Sequence, residues 1–332
     1  MKHSNIAFFV PHIGCPRQCS FCNQHAITGG AAPPTPQDVE ATCRRAAEQL
    51  GENVKETQIA FFGGSFTAIP REYMVSLLEA AQNAVQTYGF QGIRCSTRPD
   101  AIDRETLELL QGYGMTAIEL GAQSMSDKVL ALNRRGHTAA QTVQAAGLIQ
   151  DFGMEMGLQM MTGLYGDTDD LACQTAESMV ALRPDTVRIY PTVVLPHTYL
   201  AELYGQGKYR PQTVEEAVSL CARLLPRFET AGIRVIRVGL HAEESVGSQM
   251  LAGAYHPAFR ELVQSRIFLE RLLEKLEQTG AGSYLVTVCP RDISVAVGNG
   301  KSNGKRLQEL GYLVTFRQDG RLGRNEFVIE KQ

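Results

Sequence analysis

The feature that most constrains this chain is a unit that recurs along it: an amphipathic helix ends in a glycine, and an apolar, β-rich run follows at once. Gly89 precedes Ile93–Ser96, Gly114 precedes Met115–Leu120, Gly153 precedes Met154–Met161, and Gly232 precedes Ile233–Val238. Glycine enters the left-handed conformation that closes a helix without a Cβ clash. Helix starts are equally plain. Pro70 suits a first turn, after which Met74, Leu77, Leu78, Ala81 and Val85 share one face. Ser126, Thr138 and Thr213 carry the hydroxyls expected to cap the helices that follow them. The runs at Ile6–Val10, Thr57–Phe62, Ile93–Ser96, Thr116–Leu120, Met156–Met161, Thr186–Tyr190 and Ile233–Val238 do not alternate cleanly. That pattern suits parallel strands covered on both faces. Six or seven such units before residue 240 predict an α/β fold, an open or partial (β/α) barrel occupying residues 1–260.

Barrels of this kind carry their chemistry on loops at the C-terminal ends of the strands. Those positions hold, in order, a cysteine-rich loop, Gly63-Gly64-Ser65, Ser96-Thr97-Arg98, Gly121-Ala122-Gln123-Ser124, and Gly163 with Gly166. Arg188, Tyr190, Arg237 and His241 fall at the ends of the sixth and seventh strands, where they read equally as substrate contacts or as buried structural groups. Tyr255-His256-Pro257 reads as a helix-entry turn, the methionines at 154, 156, 160 and 161 as core, and Cys95 as a small buried hydrophobe.

Charge excludes little for the whole chain, whose formal net is −3, but its ends differ. The last fifty residues carry eight Lys/Arg against five Asp/Glu, a balance of +3. The N-terminal stretch MKHSNIAFFVPHIG is too short in apolar residues for a signal peptide, and no run approaches the roughly 20 needed to span a bilayer. A cytoplasmic setting with reduced thiols, and no membrane partner, is the expectation.

Three of the eight cysteines fall within eight residues, Cys15-Pro-Arg-Gln-Cys19-Ser-Phe-Cys22, while the other five stand singly. Clustered thiols on a tight loop read as metal ligands. Three ligands for an iron–sulfur cluster leave one iron open, as a catalytic metal keeps a position for substrate. Zinc remains the alternative at this point, with His25 completing a Cys3His set.

The spacing Cys-x3-Cys-x-aromatic-Cys resembles the signature of the radical S-adenosylmethionine (SAM) superfamily. The resemblance implies a 4Fe–4S cluster on Cys15, Cys19 and Cys22, with the fourth iron chelating the methionine moiety of S-adenosylmethionine. It also implies reductive cleavage to a 5′-deoxyadenosyl radical and a low-potential electron donor, flavodoxin or ferredoxin. It extends over about residues 5–260. By the same resemblance Phe21 belongs to the cofactor loop, and FFGGSFT at 61–67 places Gly63, Gly64 and Ser65 against the cofactor's amino group. Gln123 and Arg135 stand where related proteins hold its ribose and carboxylate. Thr97 and Gln159 occupy positions where relatives carry acidic residues.

Within the superfamily, STRPD at 96–100, ELGAQS…NRRGHT at 119–138 and RIYPTVVLPHTYLAELYGQGKYRP at 188–211 are similar to the catalytic subunit of the elongator complex. That family modifies the wobble uridine of tRNA, so the resemblance implies tRNA or another RNA as substrate. The compact cysteine spacing departs from that family, and the acetyltransferase half is not expected here. Coproporphyrinogen III oxidase-like proteins resemble the core alone and imply an alternative in tetrapyrrole metabolism, as enzyme or haem carrier. A third reading is a non-catalytic RNA-binding protein with a structural metal.

After a connecting helix at 261–282, residues 283–332 predict a small αβ domain. It comprises a strand at Tyr284–Cys289, a helix at Asp292–Val297, the loop Gly298-Asn-Gly-Lys301, a helix at Asn303–Leu310, and strands at Tyr312–Arg317 and Glu326–Glu330. A basic glycine loop between short helices is similar to the clamp of KH-type RNA-binding modules, with Lys301 where a second glycine is usual. Lys301, Lys305 and Arg306 are its phosphate-facing candidates, and a plain capping domain is the alternative.

Overall fold

The structure, a computed structural model, describes residues 4–10, 15, 18–23, 32–240 and 249–332. His25 and His241 lie outside the described residues. Seven parallel strands follow one another in a single curled sheet: β1 (Ser4–Val10), β2 (Thr57–Gly63), β3 (Gly92–Thr97), β4 (Met115–Gln123), β5 (Glu155–Thr162), β6 (Thr186–Pro191) and β8 (Arg234–Val238). A two-residue β7 (Val193–Val194) leaves the sheet to pair antiparallel with β9 (Ala252–Gly253). Every expected strand is present, and the sheet is a half-barrel rather than a closed ring because β1 and β8 remain edges.

Helices return the chain between strands: α1 (Pro36–Leu50), α2 (Arg71–Tyr88), α3 (Arg104–Gly112), α4 (Asp127–Leu132), α5 (Ala139–Asp151), α6 (Asp169–Ala181), α7 (Tyr199–Gly205) and α8 (Val214–Thr230). Their starts follow from local chemistry. Ser126 accepts from Val129 N–H, while Thr138 and Thr213 form reciprocal capping boxes with Gln141 and Glu216. On α2 the side chains of Met74, Leu77, Leu78 and Ala81 are buried against the sheet, each large one contributing roughly 1.5–3 kcal/mol. Gly89 ends that helix at φ 79°.

The period of two in each strand separates two surfaces. In β1, Phe8 and Val10 are buried among the helix-facing core, whereas Asn5, Ala7 and Phe9 face a cavity of about 540 Å³ on the concave side. In β5, Met156 and Met160 are core, and Gln159 with Met161 face the cavity, so Met161 belongs to its wall. Cys95 is fully buried.

The helix α9 (Phe259–Glu277) leads into a second sheet. There β10 (Gly282–Val288) lies between parallel β11 (Tyr312–Gln318) and antiparallel β12 (Phe327–Lys331), with α10 (Ile293–Val297) and α11 (Ser302–Glu309) between β10 and β11. Phe259 and Val263 of α9 are buried in the barrel core, while Phe268, Leu269, Leu272 and Leu276 form a second core with Tyr284, Val286, Val288 and Leu307. One helix thus has a foot in each hydrophobic cluster. Among the described residues no helix is long and apolar enough to cross a membrane.

Candidate functional site

Cys15, Cys19 and Cys22 all reach the wall of the concave cavity, at the C-terminal end of β1. Their loop is held from two sides. Ser20 donates its N–H to Asn133 O at 3.1 Å and its hydroxyl to Asn133 Oδ1 at 2.7 Å. On the other side Leu200 N–H donates to Ser20 O at 2.8 Å, and Asn23 Nδ2 donates to Pro196 O at 2.7 Å. Asn133 is fully buried and also donates to Val129 O and Tyr165 O, tying the cysteine loop to α4 and to the loop after β5. Phe21 packs beside Val129, Met161 and Leu164.

Gly63 sits at φ 105°, and a Cβ there would stand 3.3 Å from Val10 O, so side chains are strained at this close approach of β1 and β2. Gly64 N–H donates to Val10 O at 2.9 Å, and Ser65 Oγ lies 3.9 Å from Cys15 Sγ. Thr97 shares a 2.7 Å hydroxyl–hydroxyl bond with Thr67. Gln159 Nε2 donates to Gln123 Oε1 at 3.2 Å. Arg135 donates from Nη1 to Cys19 Sγ at 3.0 Å and from Nη2 to Gly121 O at 2.5 Å. A Cβ on Gly121 would fall 2.9 Å from Gln123 Nε2 and 3.4 Å from Arg135 Nη2, so a larger residue would displace the ends of these two side chains. The three cysteines, Phe21, Gly63-Gly64-Ser65, Thr97, Gly121, Gln123, Arg135 and Gln159 all line the same cavity.

The cavity floor carries a charge network that joins Arg188 and Tyr190, expected at a strand end, to Glu119 and Arg94, which the sequence reading did not single out. Glu119 accepts from Arg94 Nη1 at 2.7 Å and from Arg188 Nε and Nη2 at 2.6 and 2.8 Å. Arg94, fully buried, also donates to Gln58 Oε1 at 2.7 Å and stands 3.1 Å from Glu155. Arg188 Nη1 donates to Tyr190 Oη at 3.3 Å, and the guanidinium lies 5.5 Å above the Phe62 ring. Burial works against its charge, yet Glu119 and Tyr190 together outweigh burial and raise its hold on the proton. A signal for this network existed: Arg94 and Glu119 are ionic side chains inside strands covered on both faces, where unpaired charge is not tolerated.

Other expected residues fall elsewhere. Arg237 lines a second cavity rather than the first. His256 accepts from Ala258 N–H at 3.1 Å, just before α9. Lys301, Lys305 and Arg306 are exposed on the loop and helix between β10 and β11, and Arg306 pairs with Glu309 at 3.0 Å. Lys301 takes the left-handed conformation, φ 62°, that glycine would adopt freely.

The described donors fit an iron–sulfur cluster with an amino-acid-bearing cofactor. Among the described residues no three His, Cys, Asp or Glu side chains converge tightly enough to share one metal ion, although the three thiols face one cavity. Burial pushes the Cys22 thiol up to about 12, Cys19 and Cys15 add to the rise, and Arg135 opposes it. Such a thiol ionises beside a strong positive charge such as a metal. Arg135 Nε is a buried donor with no acceptor among the described residues, which suits a carboxylate.

Residues 9–179 match the radical SAM superfamily, and residues 184–268 match the radical SAM C-terminal domain. The chain is 28% identical over 193 residues to the tRNA uridine(34) acetyltransferase of Methanocaldococcus jannaschii, covering 52% of this chain and 36% of that protein. It is 29% identical over 242 residues to elongator complex protein 3 of Mus musculus, covering 66% of this chain and 43% of that protein. The chain therefore spans well under half the length of these relatives. The solved structure of the archaeal Elp3 of Methanocaldococcus infernus with an N-terminal deletion superposes with a TM-score of 0.62 at 22% identity, covering 82% of this chain and 62% of that one. That likeness is one of fold.

Proposed function

Because the chain belongs to the radical SAM superfamily, we propose that it is a radical SAM enzyme whose substrate is RNA, with tRNA foremost. In this reading Cys15, Cys19 and Cys22 hold a 4Fe–4S cluster. Phe21, Gly63, Gly64, Ser65, Thr97, Gln123, Arg135 and Gln159 surround the S-adenosylmethionine. The cluster and cofactor together would supply one-electron cleavage to a carbon radical that abstracts a hydrogen atom from substrate. The electron would come from a low-potential donor, flavodoxin or ferredoxin.

The chain's own residues do the rest. Gly63 and Gly64 let backbone approach the cofactor closely. Arg135, with one nitrogen on Cys19 and another on Gly121, leaves Nε for a carboxylate. The concave face of the half-barrel forms the wall around the reacting centre. The observation that carries the reading is the wall composition: all three cysteines share one cavity with the glycine pair, Gln123 and Arg135.

Two features favour an RNA base as the guest. Phe9, Phe62 and Tyr190 give the cavity aromatic faces on which a base stacks, and Arg188 with Tyr190 offers polar groups for a base edge. The archaeal relative is a tRNA uridine(34) acetyltransferase. On the second domain, the Gly298–Lys301 loop with Lys301, Lys305 and Arg306 would grip phosphates as a KH-type clamp does.

The test combines two measurements. Anaerobically reconstituted protein should contain about four irons per chain and should release 5′-deoxyadenosine from S-adenosylmethionine under a strong reductant, and Cys19→Ser should abolish both. Nucleoside profiling by mass spectrometry of tRNA from a deletion strain should then show one modified nucleoside missing. One bound zinc and no brown chromophore would overturn the enzyme reading, and an unchanged nucleoside profile would overturn the tRNA assignment.

A further inference from the structure

A second cavity of about 410 Å³ opens where the barrel meets the second domain. Four arginines line it, Arg237, Arg260, Arg291 and Arg324, against one carboxylate, Glu261. They come from different places in the sequence: β8, α9, the turn after β10, and the connection between β11 and β12. That convergence is built. Asp292, buried, accepts from Asn325 N–H at 2.7 Å and pairs with Arg324 Nε at 2.7 Å, pinning the β11–β12 connection to the start of α10. Arg260 Nη1 donates to Val235 O at 2.9 Å, fixing its stem against the barrel. Arg237 already has a partner. Arg291 is exposed and makes no hydrogen bond or ion pair among the described residues. The same wall contains the first turn of α9, a 19-residue helix whose N-cap, Ala258, supplies no side-chain cap. Its amide dipoles add to the positive field.

We propose that this cleft binds the phosphodiester backbone of the RNA strand whose target base enters the concave cavity, a proposal that rests on the RNA reading above. Three observations support it. Even with Asp292 counted, cation exceeds anion, and the cations are arginines, whose planar fork matches phosphate oxygens. The cleft has room for more than one phosphate group. Leu240 lines both cavities, so the cleft and the concave cavity share a wall. An enzyme that works on a base inside a cavity must take that base out of its stack and carry the flanking backbone along the adjoining rim. Lys301, Lys305 and Arg306 do not line the cleft, so it is a separate contact from the glycine loop.

The experiment is equilibrium binding of 3′-labelled bulk tRNA to the full-length reconstituted protein across a salt series. Arg291→Gln should flatten the salt dependence by about one unit of log–log slope, and Arg291→Glu should weaken binding further. Adding Arg260→Gln to Arg291→Gln should flatten it by about two units. Arg45→Gln, on exposed α1, should leave binding unchanged, and melting temperature and iron content guard against misfolding. If wild-type protein binds tRNA and Arg291→Glu keeps its slope and affinity, the cleft is overturned while the RNA reading stands. If wild-type protein does not bind tRNA, both fall.

Discussion

Arg135 reaches Cys19 across 116 positions of sequence, and its Nη1 stands 3.0 Å from the sulfur. The arginine is held at both ends. Its Nη2 donates to Gly121 O, and its own carbonyl accepts from Arg98 Nη2 at 2.5 Å. Arg98 in turn is braced by Asp100, with Nη2 to Oδ2 at 2.9 Å. A fixed positive charge beside a thiolate lowers the energy of the more negative, reduced state of any cluster that thiolate holds.

Arg135→Lys should therefore shift the reduction potential of the reconstituted cluster downward. A lysine cannot span Cys19 and Gly121 together. The loss of one charge-assisted hydrogen bond, about 1.5 kcal/mol, corresponds to about 60 mV for one electron. A redox titration followed by electron paramagnetic resonance reads the shift directly. An unchanged potential would mean that the Cys19 contact has no electrostatic consequence.

Asn133→Ala should loosen the cysteine loop without touching a thiol. The substitution strips Ser20 Oγ of its partner and leaves Tyr165 O short of a donor. Buried groups left unsatisfied cost about 1–3 kcal/mol each, so a total of about 2–6 kcal/mol is expected in urea unfolding. Iron should also leave the protein faster in the presence of a chelator. Asn133→Asp, which keeps the acceptor for Ser20, should retain more iron than alanine does.

Much of this fold was legible because its signals are local. Thr213 with Glu216, or Ser126 before Val129, declare a helix start within four residues, and Gly89 declares an end within one. Cys15, Cys19 and Cys22 were legible for the same reason. Asn133 was not, because its meaning lies in a bond to Ser20, 113 positions away. Glu119 became a hub only when register set β4 beside β3 and β5, and Arg188 arrived from β6. The arginine cleft is more remote still, since Arg260, Arg291 and Arg324 share no motif and meet only in the folded chain.

Glu119→Gln should destabilise the cavity floor more than its small change in shape suggests. Arg94 and Arg188 would both lose their shared carboxylate in a site where each is largely buried. Removing one member of a buried ionic group costs about 3–5 kcal/mol. The double variant Glu119→Gln with Arg94→Gln should cost less than the sum of the two single variants, because the second change removes a charge the first left stranded. Strict additivity in denaturant unfolding would contradict the network.

Two buried groups should give the stability profile opposite slopes. Burial, with Arg135 adding, lowers the His137 imidazole to about 4, and its Nε2 meets Ala122 O at 3.2 Å. A depressed value means the neutral form is favoured in the fold. Its contribution is complete above about pH 6.5 and is lost as pH falls toward 4, amounting to about 2–3 kcal/mol. Burial raises Asp167 to about 6, against the opposing pull of the nearby Thr168 and Gly163 backbone amides. Its protonated form is favoured, so that contribution is present below about pH 4 and lost as pH rises through 6. Asp167→Asn should thus match wild type near pH 4 and exceed it by up to about 2 kcal/mol at pH 8. His137→Gln should flatten the acid limb instead.

Lys301→Gly separates conformation from charge in the second domain. A non-glycine residue in the left-handed region costs about 1–2 kcal/mol, and glycine returns part of that gain through its freer unfolded chain. Lys301 sits there at φ 62°, while Gly298, three residues earlier, already admits no Cβ: one would fall 2.9 Å from the Asn303 amide nitrogen. The loop is anchored below by Asn303 Nδ2, which stands 3.1 Å from Ser265 O on α9. The substitution should leave stability unchanged or raise it by up to about 1 kcal/mol. If the loop grips phosphate, the same variant should reduce the salt slope of tRNA binding by about one. Gain in stability with no change in slope would leave the loop as a structural turn, and the lysine as a residue of the exposed surface.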